Sequence, residues 1–169
     1  MNQEKSRIAV DQESFKRLQE TRDSLKRVES FPYRENLRSI MDTEVYTCSP
    51  LCTLRDVIRD MAIRNISSVI VIDHIQQPVG ILTERDIMKR VIADEHVDLD
   101  STPIAKVMTS DPITLHPENT IYRALSVLTE SKVKHLPLIE DGKIVGIVTM
   151  RQLLKLRYPE PLTLIEGIR

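Results

Sequence analysis

The chain has 169 residues, of which 41% are hydrophobic, so it is long enough for one compact domain or for two small units with a shared core. Its 24 basic and 25 acidic residues give a formal net charge of −1, and hence no overall attraction to nucleic acid or to an anionic membrane surface. No apolar run approaches the roughly 18 residues of a membrane span. The first residues, MNQEKSRIAV, lack the apolar segment of a secretory signal. We therefore expect a cytoplasmic protein that neither binds nucleic acid nor inserts into a membrane.

The first predicted element is a helical extension over residues 1–37. Within it, residues 11–31 have a narrow apolar stripe that includes Leu18 and Leu25, with charges of both signs on the other faces. Arg22 interrupts the stripe, which argues against a long coiled coil. We expect this helix to pack on the rest of the chain or to pair in a dimer.

Residues 38–97 predict the order β-α-β-β-α. The three strands are predicted at Val45–Cys48, Val69–Ile72 and Val79–Leu82. Thr53 follows a proline turn and is placed to cap the first helix, and Thr83 begins the second. The unbroken apolar run SVIVI is typical of a strand that is buried on both faces.

The same order recurs in residues 98–158, because the chain is a tandem duplication. Four residues recur 67 positions later with the same identity: Met41, Thr47, Pro50 and Thr53 become Met108, Thr114, Pro117 and Thr120. After one residue is lost in a turn, Gly80, Thr83 and Arg85 become Gly146, Thr149 and Arg151. Because one such unit is too small to bury its own sheet, we expect the two copies to share one α+β core. Residues 159–169 are expected to form a linker or tail.

Metal and catalytic sites are not favoured by the residues present. Cys48 and Cys52 have a C-x-x-x-C spacing that could supply two zinc ligands, but the four scattered histidines offer no second pair, so two reduced thiols are expected. The chain has four glycines, and none are spaced for a glycine-rich phosphate loop. No nucleophile with an ordered base is visible. We therefore expect no metal, no catalytic residues and no required cofactor.

The segment Gly80 to Asp86, G-I-L-T-E-R-D, is the best candidate for a binding site. Gly80 leaves room for a close approach to the backbone. Thr83 offers a hydroxyl at a helix N-terminus, where an anion is favoured. Arg85 can contact a phosphate, and Asp86 can accept hydrogen bonds from both hydroxyl groups of a ribose.

A purely structural interpretation of this segment is equally available. Thr83 with an acidic residue three positions later is nearly a capping box, which stabilises a helix start. In the second copy, G-I-V-T-M-R-Q, Gln152 also suits a capping box, but a neutral amide cannot accept two hydroxyl protons as a carboxylate can. Both segments can therefore be caps, whereas only the first is well equipped for a ribose.

The duplicated pattern h-x-T-x-x-P-x-x-T before a helix, followed by h-P-L-I-E-D-G-K-I-V-G-I-V-T, resembles the CBS domain, named after cystathionine β-synthase. The resemblance covers about residues 39–156. It implies two repeats about a pseudo-twofold axis, with packed sheets and two clefts that bind AMP, ADP, ATP or a related adenosine compound. It also implies a homodimer that regulates an attached or partner enzyme, channel or transporter.

The resemblance also assigns site residues. Its motif G-h-h-T/S-x-x-D/N matches Gly80, Thr83 and Asp86, and its adenine-facing positions fall on the first strand and on the residues before the second. The first site then comprises Tyr46, Thr47, Ile66, Ser68, Gly80, Thr83, Arg85 and Asp86. A second, weaker site comprises Thr114, His135, Thr149, Arg151 and Gln152. The chain departs from the pattern at Gln152, where the family has Asp or Asn, and at Ile70, where the second repeat has Pro137.

The function expected from the sequence is that of a non-catalytic regulatory module with an adenine nucleotide as its regulatory ligand. A ligand-free structural dimerisation domain is the alternative. The segment PLTLIEGI resembles the joint that follows the CBS pair in bacterial signal-transduction proteins with a nucleotidyltransferase-like domain, and would make the chain part of a longer protein.

Overall fold

The computed structural model describes residues 31–157 together with Lys16 and Gln19. The chain divides into two compact units, one of which consists of both termini and the other of residues 33–155. The fold described below is that of residues 33–155, with the last helix continuing to Arg157. The predicted helix with Leu18 and Leu25 and the predicted tail at 159–169 lie outside the described residues.

The described residues contain the two predicted β-α-β-β-α units. The strands are β1 (Thr47–Cys48), β2 (Ser68–Ile72), β3 (Pro78–Thr83), β4 (Thr109–Ser110), β5 (His135–Glu140) and β6 (Lys143–Thr149). The helices are α1 (Leu54–Arg64), α2 (Glu84–Asp86), α3 (Ile121–Glu130) and α4 (Met150–Arg157). Helix α2 continues as a π-helical segment over Ile87–Ile92, and short 3₁₀ turns occur at Leu37–Ser39 and Ile104–Lys106. The mixed α+β class is confirmed.

Each repeat completes the sheet of the other. The first sheet has the order β1-β2-β3-β4, in which β1 is parallel to β2 and the other pairs are antiparallel. Strand β4 belongs to the second repeat by sequence, yet it pairs with β3 of the first. In the same way, Asp42 at the start of the first repeat pairs with Ile147 in β6 of the second. The leading segments of the two repeats are thus exchanged.

The recurrence of the first repeat's pattern predicts a strand at Ile113–Leu115 in the second repeat. In the structure this strand is reduced to a single bridge between Leu115 and Leu138. In the first repeat, the Ile70 amide donates to the Tyr46 carbonyl at 3.1 Å, which helps to hold β1 on β2. The counterpart of Ile70 is Pro137, which has no N–H to donate. The bond that would hold Ile113 is therefore missing, and only the bonds on either side of Leu115 remain.

The predicted caps and core are confirmed. The Thr53 side chain accepts from the Asp56 amide, and the Thr120 side chain accepts from the Arg123 amide, each at 3.2 Å. Apolar residues at equivalent positions of the two repeats are buried. The central residues of strand β2 are also buried, as its apolar run predicted. The buried pairs are Leu54 and Ile121, Val57 and Ala124, Met61 and Leu128, and Val69 and Leu136.

Two equivalent glycines, Gly80 and Gly146, lie where the exchanged segments pack against strands β3 and β6. A Cβ atom on Gly80 would overlap Met108 Sδ, and Met108 supplies all three of its nearest atoms. A Cβ atom on Gly146 would lie 2.8 Å from Met41 Sδ and 3.1 Å from the carbonyl oxygen of Asp42. The close approach expected at Gly80 is therefore made by a methionine of the other repeat.

These contacts predict different outcomes for two glycine substitutions. Gly80→Ala should lower the free energy of unfolding by about 1–3 kcal/mol through overpacking, and Met108→Ala in the same chain should restore part of it. Gly146→Ala should be restored less by Met41→Ala, because the Asp42 carbonyl belongs to the paired backbone and cannot move away. Urea denaturation of the wild type, the two glycine variants, the two methionine variants and the two double variants measures these differences. If the methionine substitutions restored stability equally at both glycines, the Asp42 carbonyl would not be the contact that restricts Gly146.

Two clefts between the repeats as the candidate functional site

The first cleft has a volume of about 310 Å³ and lies between the two repeats. On the side of the first repeat it is bounded by the Thr83 junction, which is the point where strand β3 ends and helix α2 begins. From the first repeat it is lined by Ser67, Ile81, Thr83, Glu84, Arg85 and Asp86. From the second repeat it is lined by Thr109, Asp111, Pro112, Ile113, Lys132, Val133, Lys134 and His135. Pairing of β4 with β3 brings the segment after β4 to this junction, so the cleft depends on the exchange of leading segments.

Asp86 forms a complete capping box with Thr83. Asp86 Oδ2 accepts from the Thr83 amide at 3.0 Å and from its hydroxyl at 2.6 Å, and the Asp86 amide donates to Thr83 Oγ1 at 3.3 Å. Asp86 Oδ1 has longer contacts, with Thr109 Oγ1 at 3.4 Å and with an Arg90 nitrogen at 3.5 Å. Because a carboxylate can accept about four hydrogen bonds, Oδ1 keeps the capacity to accept from a ligand while Oδ2 maintains the cap.

The second cleft has a volume of about 250 Å³ and lies at the equivalent junction of the second repeat. It is lined by Asp42, Glu44, Val45, Tyr46, Asn65, Ile66, Ser67, Ser68, Ile70, His135, Ile147, Thr149, Arg151 and Gln152. Gln152 Oε1 accepts from the Thr149 amide at 2.7 Å and from its hydroxyl at 3.0 Å, and the Gln152 amide donates to Thr149 Oγ1 at 3.2 Å. The prediction that both junctions can be helix caps is confirmed.

The structure groups the predicted site residues differently from the sequence analysis. Tyr46, Ile66 and Ser68 line the second cleft, beside Thr149, Arg151 and Gln152, and are separated from Thr83, Arg85 and Asp86 in the first. Each predicted site consists of residues from one repeat, whereas each cleft in the structure is lined by residues from both repeats, because their leading segments are exchanged.

Three predicted residues fall outside both clefts. Gly80 is buried against Met108. Thr47 lines a third depression, of about 270 Å³, near the start of β6. Thr114 is not among the residues that line any of these cavities. His135, predicted for the second site, lines both clefts.

Two lysines of the first cleft and two acidic residues of the second are not among the residues predicted from the sequence. Lys132 and Lys134 occupy the repeat positions of Asn65 and Ser67, so the internal alignment of the two repeats could have identified them. Asp42 and Glu44 lie in the leading segment of the first repeat and reach the second cleft through its bridge to β6. Their position depends on the exchange, which no local sequence signal indicates.

Tyr46 is held by helix α1. Its hydroxyl donates to the Asp60 carboxylate, and that bond together with burial raises the pKa of Tyr46 to about 12. The guanidinium carbon of Arg64 lies 4.8 Å from the centre of its ring, within the range of a cation–π interaction. The phenol therefore stays neutral at physiological pH and has one fixed position in the second cleft.

Ser67 and His135 form the boundary between the clefts. Ser67 Oγ and His135 Nε2 lie 2.8 Å apart, and both residues line both clefts. Burial is the largest influence on His135, and it lowers the pKa of the imidazole below the usual 6.5, although Glu84 and Asp86 oppose the shift. The ring is consequently neutral near pH 7.

The lowered pKa of His135 predicts a loss of stability in mild acid. The unfolded chain binds a proton at this histidine at a higher pH than the folded chain does, so stability falls as the pH drops below 6.5 toward the folded value. In urea denaturation between about pH 7 and 5.5, the free energy of unfolding should fall more steeply for the wild type than for His135→Gln. His96→Gln, at an exposed position outside both clefts, should match the wild type. Parallel slopes for the wild type and His135→Gln would contradict the prediction.

Comparison with known proteins agrees with the two-repeat organisation. The family model of the CBS domain matches residues 37–93 and again residues 104–158. The chain belongs to the CBS-domain family. Its two repeats form a CBS pair, which is a regulatory module.

Several curated relatives share this pair. A 17.7 kDa protein of Acidianus ambivalens is 37% identical over 115 residues, which is 68% of each chain. Protein MJ1232 of Methanocaldococcus jannaschii is 35% identical over 121 residues, 69% of this chain and 38% of that protein. The CBS domain-containing protein CBSCBSPB1 of Arabidopsis thaliana is 30% identical over 112 residues, 66% of this chain and 20% of that protein. In the last two, the chain spans well under half of the relative's length.

Solved structures show the same fold. A conserved protein of Pyrococcus horikoshii has a TM-score of 0.67 at 28% identity, covering 73% of this chain and 92% of that one. The CBS domain pair of protein MJ0100, in complex with 5′-methylthioadenosine and S-adenosyl-L-methionine, has a TM-score of 0.67 at 21% identity, covering 75% and 98%.

Other site types find little support in the described residues. Across residues 31–157, three or more His, Cys, Asp or Glu side chains nowhere come together in a way that could hold a metal ion. Cys48 and Cys52 are free thiols, and burial raises the pKa of Cys48 to about 12, which disfavours its thiolate. None of the helices in this range has the length and apolar character needed to cross a bilayer.

Proposed function

We propose that the first cleft binds an adenine nucleotide as a regulatory ligand and that the chain passes the state of this cleft to an attached or partner protein. The observation that carries the proposal is the combination of Asp86 with three cationic side chains in one cleft. Those cations are Arg85, Lys132 and Lys134.

The lining of the cleft suits the three parts of a nucleotide. Asp86 Oδ1 can accept hydrogen bonds from ribose hydroxyls while Oδ2 holds the helix cap. The three cations can neutralise a phosphate. A flat base would contact the aliphatic part of the wall, which consists of Ile81, Pro112, Ile113 and Val133. The role that we propose for this cleft is ligand sensing without catalysis.

The size of the cleft favours a small nucleotide. Its volume of about 310 Å³ is at the lower end of the range for small-molecule sites, which is roughly 300–1,000 Å³. AMP is therefore the first probe, followed by ADP and ATP. The two adenosine compounds bound by the MJ0100 CBS pair support the adenosine class, although that protein shares only 21% of its residues with this chain.

A ligand-free dimerisation domain is the second candidate, and two observations favour it. Both capping boxes are complete without a ligand. Several apolar side chains on the helices are more than half exposed and could cover one another in a homodimer. They include Ile63 on α1, Met88 and Ile92 after α2, and Leu154 on α4.

Thermal unfolding with AMP, ADP or ATP separates the two candidates. A ligand at about 100 times its Kd stabilises a one-site protein by about 2.7 kcal/mol. The proposed function requires such a shift with at least one nucleotide, whereas the dimerisation domain should melt at the same temperature in all of them.

Substitutions at Asp86 test the role of the carboxylate. Asp86→Ala should weaken nucleotide binding by about 1.5–3 kcal/mol, the scale of hydrogen bonds to a charged group. Asp86→Asn keeps an oxygen for the cap, as Gln152 does, and should weaken binding by a similar amount with little loss of stability. Calorimetric titration and urea denaturation give the two quantities. Unchanged binding with a lower free energy of unfolding would assign Asp86 to the cap alone.

The asymmetry between the junctions predicts the stoichiometry. An ionised carboxylate at Asp86 should bind a ribose better than the neutral amide of Gln152 by about 1 kcal/mol or more, so the wild type should show one tight site per chain. Gln152→Asp should strengthen the second site and raise the calorimetric stoichiometry toward two. Two equivalent sites in the wild type, or a single ligand against Thr149 and Arg151, would show that the argument from Asp86 is wrong.

A further inference from the structure

A side-chain hydrogen bond connects the two clefts. Ser67 Oγ lies 2.8 Å from His135 Nε2, and both side chains line both clefts. Ser67 precedes β2 of the first repeat, and His135 begins β5 of the second. A change in this bond would therefore alter the lining that a ligand contacts in either cleft.

The direction of the bond depends on the protonation of His135. A neutral imidazole has one N–H and one acceptor nitrogen, so Nε2 can either donate to Ser67 or accept from it. An imidazolium has an N–H on both nitrogens. Once His135 is protonated, Nε2 must donate to Ser67 Oγ, and the Ser67 hydroxyl must donate its own hydrogen elsewhere.

The charges around His135 oppose one another. Glu84 and Asp86 favour the imidazolium, whereas Lys134 and burial disfavour it. The charged side chains that face this boundary are Glu84, Arg85, Asp86, Asp111, Lys132 and Lys134 in the first cleft and Asp42, Glu44 and Arg151 in the second. A phosphate ester adds about 1.5 to 2 negative charges at pH 7. Because both cationic and acidic side chains surround His135, this added charge is enough to shift its protonation equilibrium toward the imidazolium.

We propose that His135 links the two clefts through a proton: a phosphate-bearing ligand in the first cleft binds together with a proton that His135 takes from solvent, and the imidazolium makes Ser67 a hydrogen-bond donor to the second cleft. This inference rests on the proposed function and adds its regulation. It requires phosphate binding to strengthen as the pH falls, and it requires occupancy of the first cleft to alter the second.

The direct test is the pKa of His135 in the full 169-residue chain, measured by NMR in a phosphate-free buffer with and without saturating AMP. The variant His135→Gln identifies the imidazole signal among the four histidines. We expect AMP to raise the pKa by about one unit, equivalent to about a tenfold gain in affinity across the titration. A pKa that stays the same or falls overturns the proposal.

The pH dependence of AMP affinity is the second measurement. Because a phosphate ester has its own ionisation near pH 6, the wild type is compared with His135→Gln rather than considered alone. From pH 8 downward, the affinity of the wild type should increase more than that of the variant, and the difference should approach about tenfold as the pH falls below the pKa of His135 in the free protein. His96→Gln is the matched control and should follow the wild type. Equal pH dependence in the wild type and His135→Gln overturns the proposal.

Ser67→Ala tests the transmission to the second cleft. AMP should shift the backbone amide signals of Arg151 and Gln152 in the wild type, and these shifts should shrink in Ser67→Ala. Ser126→Ala, on α3 outside both clefts, is the control and should behave as the wild type. Shifts of equal size in Ser67→Ala overturn the transmission. If AMP binds while His135 keeps its pKa, the coupling alone fails, whereas the absence of binding by AMP, ADP and ATP at every pH overturns the proposed function as well.

Discussion

The exchange of leading segments between the repeats is the constraint on which both clefts depend. Strand β4 pairs with β3, and the segment at Asp42 pairs with β6, so each hairpin is completed by the other repeat. The glycines at 80 and 146 allow this pairing, because a side chain there would overlap Met108 or Met41. Without the exchange, the Thr83 junction would not face Ile113, and neither cleft would have two walls. The duplication is therefore a requirement of the site as well as of the core.

The same side chains can stabilise a helix start and bind a ligand, because the two roles use different oxygens. Thr83 and its amide occupy Asp86 Oδ2, while Oδ1 has only long contacts. Gln152 has one carbonyl oxygen, and the Thr149 amide and hydroxyl both use it. A complete cap leaves acceptor capacity at the first junction and very little at the second. The capping interpretation and the ligand interpretation are thus compatible at Asp86 and compete at Gln152.

The duplication, the order of elements, the caps at Thr53 and Thr120 and the burial of strand β2 could all be predicted from the sequence, because each produces a recognisable sequence pattern. The weak strand at Ile113 also had a visible cause, the missing N–H of Pro137. The composition of each cleft could not be predicted in the same way. Tyr46 and Asp86 were assigned to one site and lie in different ones, because hydrophobic periodicity does not reveal which hairpin a leading segment joins.

The two copies differ at several positions that line the clefts. Buried counterparts keep their apolar character, as in Leu54 and Ile121, and the capping threonines are identical. In contrast, Asn65 and Ser67 correspond to Lys132 and Lys134, and Asp86 corresponds to Gln152. Packing restricts the core positions of both repeats equally, whereas a cleft position is restricted mainly by what it contacts in the cleft. Among the residues that line the clefts, the first cleft consequently has three cationic side chains, whereas the second has only Arg151. The two clefts of one duplicated fold therefore differ in the charge of their lining.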